Sequence, residues 1–144
     1  MSTLFEQIGG RPTLVRVHKI FYDKVYAHPW LGLFFAHIEQ ELIEDQQTDF
    51  VMRAMGGPSI YCGKLPVAAH KNMFITPELF DLRHELLADS ITEAGIGGAL
   101  RERWLRIDAA FRGKITKRSP SECERAFATD EPLIFADPAK SRAS

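Results

Sequence analysis

The sequence predicts an all-α fold. Apolar residues recur at helical spacing through successive segments, and no stretch keeps the two-residue alternation of a strand. Three glycine pairs, Gly9-Gly10, Gly56-Gly57 and Gly97-Gly98, fall where one apolar periodicity stops or the next begins. Glycine tolerates positive φ, so these pairs read as joints between helices. A length of 144 residues favours one domain, and 45% apolar residues are enough for a core.

After the first joint, Pro12 suits the opening turn of a helix. Leu14, Val17, Phe21 and Val25 then form one stripe, with His18 and Tyr22 on its shoulder. His28-Pro29 ends that helix, because the residue before proline avoids the helical region. The stretch Trp30-Leu31-Gly32-Leu33-Phe34-Phe35 is too apolar for an ordinary loop and too short for a long helix, so something must cover it.

A second long helix is expected from about Glu39 to Met55, with Ile43, Gln47, Phe50, Val51 and Ala54 as its stripe. A buried amide without a partner costs roughly 1–3 kcal/mol. Gln47 therefore either meets a polar partner that a plain core would not supply, or sits half exposed on a slightly rotated helix; both readings stay open. From Gly56 to Ala69 no period survives, and a long irregular loop of that kind is often functional. It ends at Val67-Ala68-Ala69-His70, a candidate single helical turn.

Thr76-Pro77 supplies an N-cap followed by proline at the first helical position. The helix after it turns Leu79, Leu82, Leu86 and Ile91 inward and ends near Gly95. The last helix starts around Gly98, with Leu100, Trp104, Ile107, Phe111 and Ile115 on one face. The domain is thus expected over residues 1–117, with 118–144 a largely disordered tail in which Leu133-Ile134-Phe135 is the candidate to dock.

Net charge is −1, from 18 Lys plus Arg against 19 Asp plus Glu, so no basic excess suggests nucleic acid. No run approaches the roughly 18 apolar residues that a membrane span needs. The N-terminal residues do not read as a signal peptide. A cytoplasmic protein with Cys62 and Cys123 as free thiols is the expectation. Clustered zinc ligands, a nucleophile elbow and glycine-rich phosphate loops are all missing from the pattern.

What remains is His70, alone at the end of the irregular loop and followed by Met73-Phe74-Ile75. A single histidine beside apolar residues is more often a core residue than a ligand. Haem iron, however, needs one protein ligand, and a neutral imidazole on a short segment can supply it. The opposite wall then needs apolar bulk and one or two hydrogen-bond donors, a task that Tyr22 and Gln47 fit from inward faces of two helices. The other histidines read differently: His18 as a half-buried helix residue, His28 and His37 near helix ends, and His84 as solvent-facing rather than a sixth ligand.

At this level of detail the chain resembles the truncated haemoglobins, the two-over-two helical globin family, and is most similar to group I. The matching pieces are Leu4-Phe5-Glu6-Gln7-Ile8-Gly9-Gly10, Phe21-Tyr22, Phe34-Phe35, Phe50 through Gly56-Gly57-Pro58, Tyr61 with Gly63, Ala69-His70 through Ile75-Thr76, Phe80, and Ala94-Gly95-Ile96. Each is weak alone; their order and spacing over residues 4 to about 115 are specific. The resemblance implies a globin-like two-over-two helical sandwich around a non-covalent haem b, with His70 as the proximal iron ligand. It implies that Phe35 packs on the porphyrin, that Tyr22 is the distal phenol which hydrogen-bonds bound oxygen, and that Gln47 is the amide working with it. Ile43 would occupy the place of the distal histidine of longer globins and act as a gate, with Gln46 beside it. Phe21, Phe34, Phe50, Val51, Tyr61, Met73, Phe74, Ile75 and Phe80 would line the haem slot. Lys64, like Lys71, could pair with haem propionates, although an ordinary solvated lysine fits as well. Val51 departs from members that carry a second gating phenylalanine there, and the tail has no counterpart in short members.

Three functions compete on this reading. A globin could bind oxygen, nitric oxide or carbon monoxide for storage, delivery or sensing. A haem enzyme could act as a nitric oxide dioxygenase or peroxidase, needing an external reductase. A haem-free scaffold could bind a protein partner, but that leaves Tyr22 and Gln47 unexplained. The binding reading is favoured, in a monomer or weak homo-oligomer without nucleic acid or membrane partners.

Overall fold

The structure, a computed structural model, describes residues 2–36, 38–58, 75–117 and Phe135, with the side chain of Lys114 excepted. Among the described residues every regular element is helical. They are α1 (Leu4–Gln7), α2 (Arg11–Ala27), a 3₁₀ turn (Leu31–Phe35), α3 (Gln40–Ala54), α4 (Pro77–Glu93), α5 (Gly98–Ala109) and α6 (Arg112–Ile115). Helix α2 packs on α3, α4 packs on α5, and α2 lies across α4, giving two pairs of helices laid one over the other.

Local chemistry sets the helix ends. The Thr3 hydroxyl accepts the Glu6 N–H at 3.2 Å to open α1, and the Thr76 hydroxyl accepts the Leu79 N–H at 3.1 Å to open α4. A threonine cap of this kind is worth about 1 kcal/mol. Pro12 and Pro77 both sit in the first turns of their helices. The Gly56-Gly57 joint is a steric requirement: Gly56 has φ +87°, and a Cβ on Gly57 would lie 2.8 Å from the Phe5 ring and 2.9 Å from Met52. That close approach lets the Phe5 N–H reach the Met55 carbonyl at 3.2 Å and tie α1 to the end of α3.

The expected α2 stripe is buried throughout, but the buried face is wider than four residues. His18 is 1% exposed and Tyr22 5% exposed, so the half-buried reading of His18 is corrected. The His18 ring is held by the Thr48 hydroxyl of α3 at 2.7 Å and meets Trp104 edge-on at 6.1 Å. Helix α3 is rotated relative to its predicted stripe: Thr48, Val51 and Met52 are buried, Gln47 is half-buried and Ala54 is exposed. In α4 the buried set is Leu79, Phe80, Leu87, Ser90 and Ile91, while Leu82 and Leu86 are only partly covered. The predicted last helix is broken after Ala109, where the Phe111 N–H turns to the Asp108 carbonyl at 3.2 Å and tightens the chain before α6 resumes.

The apolar segment after His28 forms the 3₁₀ turn, and its cover comes from far along the chain. The Trp30 indole N–H donates to the Phe135 carbonyl at 2.7 Å, and the Phe135 ring stands edge-on to Phe34 at 4.8 Å. Phe135 is thus docked; the rest of 118–144 lies outside the described residues.

Two outcomes follow from this packing. Phe135→Ala removes an aromatic pair worth about 1 kcal/mol, so the thermal midpoint should fall by about 3–5 °C without loss of helix content by circular dichroism. Burial pushes the His18 imidazole down, aided by Arg83 and opposed by Asp108, from 6.5 to about 3. The unfolded chain therefore takes up a proton at His18 near pH 6.5 that the folded protein refuses until about pH 3. Its contribution to stability is complete above 6.5 and should drain away at about 1.4 kcal/mol per pH unit as the pH falls through that window. Urea midpoints from pH 7 to pH 4 should fall more steeply for the parent than for His18→Gln, and parallel curves would contradict the assignment.

Candidate functional site

A cavity of about 490 Å³ opens between the two helix pairs, walled by α2, the 3₁₀ turn, α3, α4, α5 and α6. That lies within the roughly 300–1,000 Å³ usual for small-molecule sites. Aromatic rings dominate its wall. Phe21 stands edge-on to Tyr22 at 4.8 Å, Phe35 lies 6.0 Å from Tyr22 and 5.5 Å from Tyr26, and Phe50 meets Phe111 at 5.4 Å. The Tyr26 hydroxyl donates to the Ile38 carbonyl at 2.8 Å, which ties the chain just after Phe35 to α2. The Lys117 N–H donates to the Ile75 carbonyl at 2.8 Å and fixes Ile75 at the other end of the cavity.

The structure brings most of the predicted site residues around this one cavity. Tyr22, Ile43, Gln46 and Gln47 face the cavity together with Phe21, Phe34, Phe35, Phe50, Val51, Ile75 and Phe80. His70, Tyr61, Lys64, Met73 and Phe74 lie outside the described residues, as do Lys71, His37, Cys62 and Cys123. Gln47 is half-buried, as one of its two readings has it, and lines the cavity. Tyr22 is the sharper case. Burial pushes its phenol well above the usual range, with Arg83 pulling weakly the other way, so the O–H stays protonated. It is 5% exposed, and among the described residues its hydroxyl has no hydrogen-bond partner. An orphaned buried hydroxyl costs roughly 1–3 kcal/mol, and this one sits where an acceptor inside the cavity would satisfy it.

The sequence reading passed over a second polar feature of the same cavity. Arg83 and Asp108 both line the cavity, beside His18. The Arg83 guanidinium donates to Asp108 Oδ2 at 2.8 Å, and His84 Nδ1 lies 2.7 Å from the same oxygen. The expectation that His84 faces solvent is therefore corrected: it is partly buried, stacked on Phe80 at 6.3 Å and hydrogen-bonded to Asp108. Burial pushes the Asp108 carboxyl up, but the Arg83 charge and the hydrogen bonds from His84 and Arg83 overcome it and hold it well below the usual carboxylate range. The helical register could have exposed this cluster. Arg83 falls four residues after Leu79, and Asp108 four after Trp104, both on buried stripes.

A flat, apolar macrocycle suits this cavity, with rings on its walls and a phenol and two amides available at one side. The residues present fit haem, with the iron's protein ligand expected from His70. Among the described residues no cluster of three or more His, Cys, Asp or Glu could hold a bare metal ion, and no helix is long and apolar enough to cross a membrane.

Comparison with known proteins gives the same frame. The family model described as bacterial-like globin matches residues 3–117. A Group 1 truncated hemoglobin of Tetrahymena pyriformis is 35% identical over 99 residues, covering 69% of this chain and 82% of that protein. The crystal structure of truncated hemoglobin from Tetrahymena pyriformis in its Fe(III) form aligns with a TM-score of 0.76 at 30% identity, over 81% of this chain and 100% of that one. The 2/2 hemoglobin from Synechococcus sp. PCC 7002, described in the cyanomet state with covalently attached heme, aligns with a TM-score of 0.72 at 25% identity, over 81% and 100% of the two chains. A two-over-two helical fold closed around an aromatic cavity, matched along nearly the whole described domain, places this chain in the truncated haemoglobin family of haem-binding globins, nearest to group 1.

Proposed function

We propose that this globin holds haem b non-covalently through His70 and reversibly binds oxygen and other diatomic ligands for storage, delivery or sensing. The observation that supports this most directly is the buried Tyr22 hydroxyl, without a hydrogen-bond partner among the described residues, at an aromatic cavity that Gln47 also lines. Haem supplies an iron centre at which a diatomic ligand can coordinate. The protein's part is to exclude water with its phenylalanines and to aim Tyr22 and Gln47 at a ligand atom that carries partial negative charge. Carbon monoxide, whose far atom carries little charge, gains less from the same donors. Ile43, without a polar atom in its side chain, contributes bulk at the cavity wall and no hydrogen bond.

A second reading has support from the same wall. Several donors around one small ligand slow its release, which suits chemistry on the ligand, such as nitric oxide dioxygenation or peroxide consumption, better than delivery. That activity would draw electrons from a separate reductase. Stopped-flow mixing of the oxygenated protein with nitric oxide, with and without a reductant system, separates turnover from reversible binding.

His70→Ala should give protein that takes up no haem or releases it readily to apomyoglobin, and unchanged haem content in that variant would remove the central assignment. Extraction with acidified butanone should strip the parent completely; haem left on the chain would indicate the covalent attachment described for the Synechococcus protein.

Tyr22→Phe keeps the ring and deletes one donor. A hydrogen bond to a partly charged acceptor is worth roughly 1.5–3 kcal/mol, so oxygen dissociation should quicken about ten- to a hundredfold. Carbon monoxide dissociation should change far less, and equal effects on both gases would mean that the phenol controls access rather than bonding. Gln47→Leu should act in the same direction, with a non-additive double variant if the two side chains share one network.

A further inference from the structure

Arg83 is a cation in a wall that neutral diatomic ligands do not require. Its guanidinium carbon lies 5.3 Å from the Phe21 ring centroid and 5.5 Å from that of Phe80, within the roughly 6 Å reach of a cation–π contact. Both rings line the cavity, and Phe21 stands edge-on to Tyr22. The guanidinium therefore lies within cation–π reach of two rings of the cavity wall. Burial pushes its pKa down, yet Asp108 more than restores it, so the charge is permanent.

The ion pair with Asp108 leaves that charge only partly used. Arg83 makes one hydrogen bond to the carboxylate, at 2.8 Å to Oδ2, and His84 shares the same oxygen at 2.7 Å. A bidentate guanidinium–carboxylate fork would occupy two donors and both oxygens. Here a single Nη bonds Asp108, and among the described residues the remaining N–H donors find no other side-chain acceptor. Arginine carries five donors in a fixed plane and is weakly hydrated, which makes it the side chain suited to a desolvated anion.

We propose that Arg83 makes the polar corner of this cavity a subsite for a small inorganic monoanion, so that the protein binds anionic ligands such as azide or nitrite in preference to neutral ones of similar size. The inference rests on the haem-binding reading, because the anion would coordinate at the same centre that takes the diatomic gases. Arg83 then acts as a specificity-determining residue: it supplies charge-assisted donors beside the neutral ones of Tyr22 and Gln47. Asp108 tempers it, orienting the guanidinium and offsetting part of its charge.

The test compares azide binding to the ferric protein with carbon monoxide binding to the ferrous protein, both read from the Soret band at fixed pH and ionic strength. Arg83→Met keeps the stem and removes the charge, and it should weaken azide by about tenfold or more, the change that 1.4 kcal/mol produces. Carbon monoxide affinity should move less than about threefold, a change of roughly 0.65 kcal/mol. Asp108→Asn leaves the guanidinium uncompensated and should tighten azide, the opposite sign. That second variant carries the test by itself if Arg83→Met fails to fold. Equal shifts for both ligands, or haem-loaded variants whose azide affinity does not change, would overturn the proposal and leave the globin reading intact. A parent protein without a Soret band would overturn both.

Discussion

Helix α2 has to satisfy three neighbours at once, since α3, α4 and the 3₁₀ turn all pack on it. A helix presents at most about half of its circumference to such contacts, and here the buried face carries Leu14, Val17, His18, Phe21, Tyr22 and Val25. Polar and apolar positions are interleaved on it. Leu14, Val17 and Phe21 fasten the helix pairs together, while His18 and Tyr22 project between them as the only titrating side chains on that face. The rotation of α2 therefore fixes the core and the cavity together. A shift of one residue would swing the side chains by about 100°, burying Lys19 or Asp23 and carrying Tyr22 out of the site.

The cavity gains its electrostatic character from burial. Water screens charges weakly inside it, so each polar group must be neutral, paired or directed at an occupant. His18 takes the first route, held uncharged against Thr48. Asp108 takes the second, with Arg83 and His84 both on one oxygen. Tyr22 stays protonated and neutral at the cavity wall, and on the proposed function it takes the third route with Gln47. Replacing a buried ion pair with apolar residues of similar volume is often neutral or stabilising. Arg83 and Asp108 are thus poorly explained as stabilisers of the fold, and their position in the cavity wall is the more economical account of why charge is placed there.

How much of this was legible in the sequence depended on the number of independent signals at each residue. The helices were legible because caps, prolines, glycine pairs and apolar stripes coincide: Thr76-Pro77 opens α4, and Gly56-Gly57 closes α3 where Phe5 and Met52 leave no room for a side chain. Rotations were harder. The α3 stripe was assigned through Ala54, whereas Thr48 and Met52 are buried, because a small residue at the end of a helix carries little weight against the contacts made by larger ones. Tyr22 and Gln47 were found through the family resemblance as much as through periodicity. Arg83 and Asp108 were missed and His84 was turned outward because charged residues are presumed to face water, and the pairing of Arg83 with Asp108, 25 residues on in the next helix, is one that no local pattern encodes.

Phe135 illustrates a different limit. Its segment has no helical period, and its place is set by what the 3₁₀ turn lacks. Trp30 has an indole N–H that needs an acceptor when buried, and the Phe34 ring has a face or edge to pair. One backbone carbonyl and one ring from far along the chain meet both needs. Phe34 also lines the cavity, so the contact couples Phe135 to the site through a single ring. Packing interiors transmit such displacements because they have few voids to absorb them. A ring packed against Phe34 constrains the position of that side chain, and Phe135 in that sense supports the site.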